Sequence, residues 1–119
     1  MDLPKFCPIS PRSKIKAQVI RIVDGDTVHL AFSFRGRKWR YCFRLADINA
    51  AELKSKDLAE RRQALEAKRH LAQICGSEVY FQFVCIGHFG RIVARLYTPQ
   101  GLDIQQYLLD QNIVRPYIK

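Results

Sequence analysis

The sequence predicts an α+β fold, a small five-stranded β-barrel that carries two helices. Runs rich in β-branched and aromatic residues, separated by turn sequences such as Asp24-Gly25, predict the strands. Two other segments, 57–75 and 102–112, instead place apolar residues at helical spacing. The length of 119 residues fits one domain.

The first three strands form a predicted meander. The first begins at Lys14 and ends at the turn Asp24-Gly25-Asp26, since Asp-Gly between two β-rich runs is a strong hairpin signal. The second covers 27–34, and the turn Arg35-Gly36-Arg37 leads into the third, 38–46. Residues 1–13 contain three prolines and are predicted to be an extended N-terminal lead-in to the domain 14–119.

An amphipathic helix is predicted over 57–75. Ser55 or Asp57 is expected to cap its start, and Gly76 its end. Its apolar face is predicted from a seven-residue recurrence and the apolar residues beside it: Leu58, Leu65 and Ala72, with Ala64, Leu71, Ile74 and Cys75. The basic residues expected on the opposite, outer face are Arg61, Arg62, Lys68 and Arg69.

Two more strands, 78–84 and 91–97, are predicted on either side of the glycine-containing loop 87–90. A turn at 98–101 precedes the final short helix, 102–112. Three strands, a helix, two strands and a helix suggest a closed barrel of the OB type, an architecture that commonly binds nucleic acids.

The charge balance points to a polyanionic partner. The chain has 20 Lys and Arg against 11 Asp and Glu, for a net charge of +9. Nucleic acid is the commonest such partner, and an anionic membrane surface is the next candidate. Several of the cations, Arg35, Arg37, Lys38 and Arg40, surround the second turn and third strand, where they either follow a phosphodiester backbone or solubilise the surface.

The four cysteines form no CxxC pair, which disfavours a zinc site. Cys42, Cys75 and Cys85 are expected to be small buried apolar residues, and free thiols suit a reducing compartment. The sequence shows no signal peptide and no apolar run of transmembrane length. A soluble intracellular protein is therefore expected.

Three polar clusters could carry chemistry. Asp24 and Asp26 flank the first turn, a loop with several side-chain oxygens follows the third strand, and Arg91 follows Gly90 at a strand start. Loop oxygens suit a hard cation such as Ca²⁺, and an arginine can bind a phosphate through two parallel hydrogen bonds. Each cluster alone also has a purely structural interpretation, as turn chemistry, a solvated loop or a surface arginine.

Taken together, the three clusters resemble a known family. The segments Val23-Asp24-Gly25-Asp26-Thr27-Val28, Phe43-Arg44-Leu45 through Glu52, and Phe89-Gly90-Arg91 are similar to the three signature segments of the staphylococcal nuclease (thermonuclease) family. They occur in the same order with similar separations. The resemblance extends from about Lys14 to the end of the chain, without the long C-terminal helix of the staphylococcal protein.

The resemblance implies a role for each matching residue. Arg44, Glu52 and Arg91 match the catalytic residues, and Asp26, Asn49 and the backbone carbonyl of Ala50 match the metal ligands. Phe89 lies where the family often has a tyrosine that faces the nucleotide. The further residues expected to bind substrate are His88, Lys54 and Tyr117.

The implied activity is that of a Ca²⁺-dependent endonuclease, with Mg²⁺ or another divalent ion as an alternative cofactor. The expected substrates are single-stranded DNA and RNA, cleaved with little sequence specificity to leave 3′-phosphates. No membrane or other protein partner is inferred. The alternative is a catalytically weakened nucleic-acid-binding module on the same fold, and it is Asn49 that favours this alternative.

Asn49 stands where the staphylococcal enzyme has aspartate, so a weaker metal site is expected. Asp47, two residues earlier, could compensate for the missing charge. It is expected to lie on the other face of an extended segment.

Overall fold

The computed structural model describes residues 13–117, and its main element is a closed five-stranded barrel. The barrel strands are β1 (Lys14–Asp24), β2 (Thr27–Phe34), β3 (Arg37–Leu45), β5 (Glu78–Ile86) and β6 (Ile92–Tyr97). Around the barrel their order is β1-β2-β3-β6-β5. Two α-helices, α1 (Leu58–Cys75) and α2 (Ile104–Asp110), complete an α+β domain, so the predicted fold class is confirmed.

Strand β1 closes the barrel, because it pairs with a neighbour on each side. β1 pairs with β2 on one side and β5 on the other, and its register with β2 shifts twice, which lets it bend around the barrel. All pairs are antiparallel except β3 with β6, which are parallel. The sequence pattern had indicated only a tendency to antiparallel pairing.

A second, two-stranded sheet was not predicted. It joins β4 (Ile48–Asn49) to β7 (Arg115–Pro116), with Ile48 opposite Pro116 and Asn49 opposite Arg115. The backbone N–H of Tyr117 also donates to the carbonyl of Asp47 over 2.9 Å. These bonds fix the segment that follows β3 against the end of the chain.

The barrel interior is filled by aromatic and branched side chains. Phe32, Phe43 and Phe81 pack edge to face, with ring centroids 4.7–5.9 Å apart. Trp39 and Tyr41 pack against this core from β3.

Helix α1 buries part of the predicted face, since Ala64, Leu71 and Cys75 are buried and Ile74 packs against the core. Its buried residues are Ala64, Ala67, Leu71 and Cys75. Leu58 and Leu65, predicted as core, are 63% and 54% exposed, and Ala72 is also exposed. The reason is close packing, because the alanine stripe lets the helix approach the barrel nearer than leucines would allow. The predicted caps are confirmed, with Asp57 at the N-terminus and Gly76 at the C-terminus.

The cysteines differ in exposure. Cys75 is buried as predicted, and burial raises the pKa of its thiol to about 12. Cys85 is exposed, which corrects its predicted burial, because it lies near the end of β5 on the outer surface. Cys42 is partly buried, and Cys7 lies outside the described residues. Within residues 13–117, no helix has the length and apolar character needed to cross a membrane.

Gln105 on α2 is a fully buried polar residue that the sequence pattern did not identify. Its side-chain oxygen accepts from the Leu96 N–H over 2.9 Å. Its amide nitrogen donates to the carbonyls of Ala94 at 2.9 Å and Ala46 at 3.4 Å. One side chain therefore ties α2 to β6 and to the segment just after β3.

Gln105→Leu is expected to lower the free energy of unfolding by about 3 kcal/mol. The change leaves the buried Leu96 N–H without its acceptor and removes one of the two donors to the Ala94 carbonyl, which keeps the Ala46 N–H; a buried group left unpaired costs about 1–3 kcal/mol. Urea denaturation followed by circular dichroism measures this difference. Gln106→Leu, at an exposed position in the same helical turn, is the matched control. Equal stability of the two variants would contradict the structural role of Gln105.

Candidate functional site

The polar clusters meet in one open cavity of about 690 Å³. It lies between the β1–β2 turn, the end of β3, the loop after β4, helix α1 and the start of β6. Its charged lining comprises five cations and three carboxylates: Arg21, Arg44, Lys54, Lys68 and Arg91, with Asp24, Asp26 and Glu52. The cavity is therefore positive overall and suits an anionic ligand that is bound beside carboxylates.

Asp26 is the most buried acid of the cavity, and its residue is only 8% exposed. One carboxylate oxygen accepts from the Thr27 hydroxyl at 2.9 Å. The other accepts from the Ala50 backbone N–H at 3.0 Å and pairs with the Arg44 guanidinium at 2.7 Å. Charge-assisted bonds of this kind hold the carboxylate at a fixed position.

Arg44 bridges two of the residues predicted as metal ligands. Beside its contact with Asp26, its Nη2 donates to the Asn49 side-chain oxygen at 3.1 Å and to the Ile48 carbonyl at 3.3 Å. The Tyr117 ring lies over the guanidinium, 5.6 Å from its carbon to the ring centroid. Arg44 therefore positions Asp26 and Asn49 relative to each other.

Gly25 is required here by packing. A Cβ at this position would lie 2.5 Å from the Ala67 Cβ on α1 and 2.9 Å from the Ala50 Cβ. Helix α1 and the loop after β4 both press against the β1–β2 turn, and only glycine leaves room for both. The Asp-Gly-Asp segment thus combines a turn with the close approach that brings Asp26 to Ala50.

Glu52 and Arg91 face the cavity from different elements. Glu52 lies in the loop after β4 with an exposed side chain, and its carboxylate forms no ion pair with another described residue. Arg91 is partly buried and follows a short 3-10 helix, His88–Gly90, which ends on Gly90 at φ 73°. That left-handed backbone conformation favours glycine and turns the chain so that Arg91 reaches the cavity.

Most of the predicted site residues line this cavity: Asp26, Arg44, Asn49, Ala50, Glu52, Lys54 and Arg91. Tyr117 lies beside it through its contact with Arg44. His88 is not among the described residues that line the cavity. Phe89 belongs to the 3-10 helix, and its side chain lies outside the described part of the structure.

Asp47 does not join the site. Its backbone is left-handed, at φ 65°, and its exposed carboxylate pairs with Arg95 at 2.9 Å. Asp103 pairs with the same arginine at 2.7 Å, and hydrogen bonding to Asp103 raises the Arg95 pKa against the opposing effect of burial. Asp47 thus lies away from Asn49, as predicted, but the cause is its left-handed turn conformation and not alternation along an extended segment.

Lys68, Arg21 and Asp24 complete the cavity, and sequence patterning did not assign them to it. Lys68 was predicted on the outer face of α1. Its side chain lines the cavity because the buried stripe of that helix passes through Ala67, the preceding residue. A helical wheel centred on the alanines would have identified it.

Burial is the main cause that raises the Asp24 pKa, and the Asp26 charge raises it further. Lys68 and Lys54 oppose this shift. The two lysines therefore lie close enough to interact with the carboxylates at the turn, and they bring cations to both sides of the cavity.

The oxygen donors of the cavity suit a hard divalent cation. Asp26 offers a carboxylate and Asn49 an exposed amide oxygen, and Ca²⁺ and Mg²⁺ accept such oxygens together with water. Within residues 13–117, no group of three or more His, Cys, Asp or Glu residues is arranged to hold a metal ion. Both donor oxygens also contact Arg44, so a cation at this position would bind weakly and in competition with the guanidinium.

The chain is similar to two curated proteins, each named "Uncharacterized endonuclease". One is from Escherichia coli and is 27% identical over 95 residues; the other is from Escherichia coli O157:H7 and is 26% identical over 95 residues. The matched region covers 80% of this chain and 56% of each relative, so the chain spans a little over half the length of these relatives. No family model matches the chain.

Proposed function

We propose that this protein is a divalent-metal-dependent nuclease that hydrolyses phosphodiester bonds in DNA and RNA. The observation that carries the proposal is the meeting of Asp26, Arg44, Asn49, Glu52 and Arg91 in one positively charged cavity. These residues come from three separate segments of the chain, and each has the chemistry that the reaction needs. The similarity to two proteins named endonuclease supports the same activity.

The two arginines are proposed to bind the scissile phosphate. Arg44 keeps N–H donors beyond those used by Asp26, Asn49 and Ile48, since a guanidinium has five. Arg91 is partly buried, where a charge interacts more strongly than in bulk water. Together they would stabilise the additional negative charge that develops on the phosphoryl oxygens as water attacks.

Glu52 is proposed to be the general base. Its carboxylate is exposed and outside any ion pair among the described residues, so a water molecule can reach it. Glu52 takes a proton from that water as the water oxygen bonds to phosphorus. The bond from phosphorus to the leaving sugar oxygen breaks, and that oxygen takes a proton from solvent. A divalent cation, when bound at Asp26, Asn49 and the Ala50 carbonyl, supplies charge neutralisation to the phosphate.

The products and substrate range follow from the family resemblance. We propose that the 5′ oxygen leaves and the phosphate stays on the 3′ side. Lys54 and Lys68 line the cavity and would contact phosphates without reading bases. Tyr117 is half exposed beside Arg44 and would face the substrate. These contacts favour unpaired strands with little sequence preference.

A second candidate function is a nucleic-acid-binding module without catalysis. The observation in its favour is that Arg44 contacts both Asp26 and the neutral Asn49, the two side chains proposed to hold the cation. If the cation fails to displace these contacts, the cavity would bind phosphate without cleaving it.

A cleavage assay separates the two functions. Labelled single-stranded DNA and RNA are incubated with the protein in Ca²⁺, in Mg²⁺ and in EDTA, and the product ends are identified by phosphatase treatment. Cleavage that requires the metal and leaves 3′-phosphates is expected. Salt-sensitive binding without cleavage in any of the metals would support the binding module instead.

Asn49→Asp is expected to strengthen Ca²⁺ binding by roughly tenfold, about 1.4 kcal/mol, because a second carboxylate adds negative charge to the proposed ligands. Isothermal titration calorimetry measures the change. Gln106→Glu adds the same charge at an exposed position on α2 and serves as the control. Unchanged or weaker binding by Asn49→Asp would exclude Asn49 as a ligand.

A further inference from the structure

We propose that a nucleic-acid strand leaving the cavity runs along the outer surface of β1, β2 and β3, held there through its phosphates. This proposal rests on the proposed function, because it extends the substrate beyond the cleaved bond. The surface, here called the basic face, is defined by the outward side chains of these strands: Lys16, Arg21, Lys38, Arg40 and Arg44. It forms an extended binding site for the backbone of a long strand.

The alternation of β3 creates one edge of the basic face. Phe43 and Leu45 point into the barrel core and are buried, so the residues between and before them point outward. These outward positions carry Arg44 at the cavity, then Arg40 and Lys38, both exposed. From Arg44 to Lys38 the strand spans about 20 Å at roughly 3.3 Å per residue.

The register with the neighbouring strands continues this surface across the sheet. Two cross-strand rows follow the cavity, spaced by two residues along β3. They consist of Cys42, His29 and Arg21 in the nearer row, and Arg40, Ala31 and Gln18 in the farther one. Lys38 lies opposite Ser33, and together with Lys16 they line a depression of about 400 Å³ at the far end.

Three of the five charges on this face are open to a ligand, whereas Lys16 pairs with Glu78 of β5 at 3.5 Å and Arg44 pairs with Asp26 at 2.7 Å. β2 and β3 contain no Asp or Glu, and the acid of β1 is Asp24, which lies in the cavity. Arg21, Lys38 and Arg40 are exposed and form no ion pair with another described residue. Unneutralised cations in a line attract a polyanion, because each phosphate contact releases condensed counterions.

The other way out of the cavity is less suited to phosphate. A groove of about 710 Å³ between α1 and the β4–β7 sheet shares Asn49 and its neighbours with the cavity. Asp57, Glu60 and Glu66 line that groove and repel a phosphodiester backbone, although Arg62 and Arg115 lie there too. The strand is therefore directed over the basic face.

Recognition along the basic face relies on charge. The large aromatic rings of β3, Trp39 and Tyr41, pack against the core and do not form a stacking platform on this surface. The small side chains of Ala31 and Ser33 between the cations leave room for a backbone to approach. Binding should therefore increase with strand length and with decreasing salt, whatever the base sequence.

The test compares two doubly substituted proteins that lose the same charge. Lys38→Gln with Arg40→Gln alters the basic face outside the cavity, and Arg62→Gln with Arg69→Gln alters exposed residues of α1. Binding of fluorescent oligothymidylates of 20 and 4 nucleotides is measured by anisotropy in EDTA at several salt concentrations. EDTA prevents metal-dependent cleavage, so binding is measured by itself.

For the 20-nucleotide strand, the basic-face variant should bind on the order of tenfold more weakly than the unchanged protein. Its slope of log affinity against log salt is negative and should be shallower by about 1.4. The helix variant and the 4-nucleotide strand should show little change. Lys38→Arg with Arg40→Lys keeps the charges and should bind as the unchanged protein does, which separates lost contacts from a folding defect.

If the two Gln variants lose equal affinity for the 20-nucleotide strand, or show equal slopes of log affinity against log salt, the proposed basic-face site is overturned. If the unchanged protein cleaves DNA while the basic-face variant binds normally, the extended site fails and the proposed function stands. If the unchanged protein binds DNA through the basic face and cleaves nothing, the proposed function fails and the extended site stands.

Discussion

Glu52→Gln is expected to lower the rate of phosphodiester cleavage by about 10²–10⁴-fold, the usual contribution of a positioned general base. Glutamine keeps the size of the side chain and its exposed position, but it does not accept a proton from water. The Glu52 carboxylate has no ion pair to lose among the described residues, so the fold and its stability should be unaffected.

Single-turnover cleavage of a labelled oligonucleotide measures this effect, with thermal unfolding followed in parallel. Glu66→Gln is the matched control, since Glu66 is an exposed carboxylate on α1 that pairs with Arg69. Cleavage by Glu52→Gln within a few-fold of the unchanged rate would remove Glu52 from the proposed mechanism. An equal loss in Glu66→Gln would point to overall charge instead.

Arg44→Ala is expected to separate metal binding from catalysis. The change frees one oxygen of Asp26 and the side-chain oxygen of Asn49, and it removes a positive charge that competes with a cation. Ca²⁺ should therefore bind more tightly. Cleavage should nevertheless fall by about 10²–10³-fold, because a guanidinium that stabilises the charged transition state is lost.

Arg91→Ala is the informative comparison, because Arg91 is proposed to bind the same phosphate without contacting Asp26 or Asn49. The cleavage rate of Arg91→Ala should fall by a factor similar to that of Arg44→Ala, and its Ca²⁺ affinity should change less. Titration calorimetry and cleavage rates across a Ca²⁺ series provide both readouts. Weaker Ca²⁺ binding by Arg44→Ala would show that the arginine supports the metal site and does not compete with it.

The structure also explains why Arg44→Lys would not substitute. Arg44 reaches Asp26 with one terminal nitrogen and Asn49 and Ile48 with the other. Lysine presents one compact ammonium on a flexible chain, so it would lose the fixed geometry between the two oxygens even though it keeps the charge.

Much of the fold was predictable because its signals are local. Strand bounds followed from β-branched and aromatic runs between turn residues, and the observed β2, Thr27–Phe34, matches its predicted bounds. Helix caps depend on residues only a few positions apart, so Asp57 and Gly76 were identified correctly. Within the candidate site, the family resemblance selected Asp26, Arg44 and Arg91, and each lies at a turn or a strand end, where side chains project from a rigid scaffold.

The sequence by itself therefore determined the order of the barrel strands and the two helices, the fold class and the polar residues available for chemistry. Only the tertiary structure decided how they are combined. The seven-residue recurrence suggested Leu58 and Leu65 on the buried face of α1, yet both are exposed and Ala67 packs against Gly25. This happens because close approach to the turn favours small residues over large apolar ones.

The same close packing decided which polar residues meet. It turned Lys68 into the cavity, and it brought the loop after β4 within hydrogen-bonding distance of Asp26. Gln105 is accommodated in the core because its side chain accepts from the Leu96 N–H and donates to the carbonyls of Ala94 and Ala46. Such choices depend on contacts between residues that are distant in the chain, and a local pattern carries no information about them.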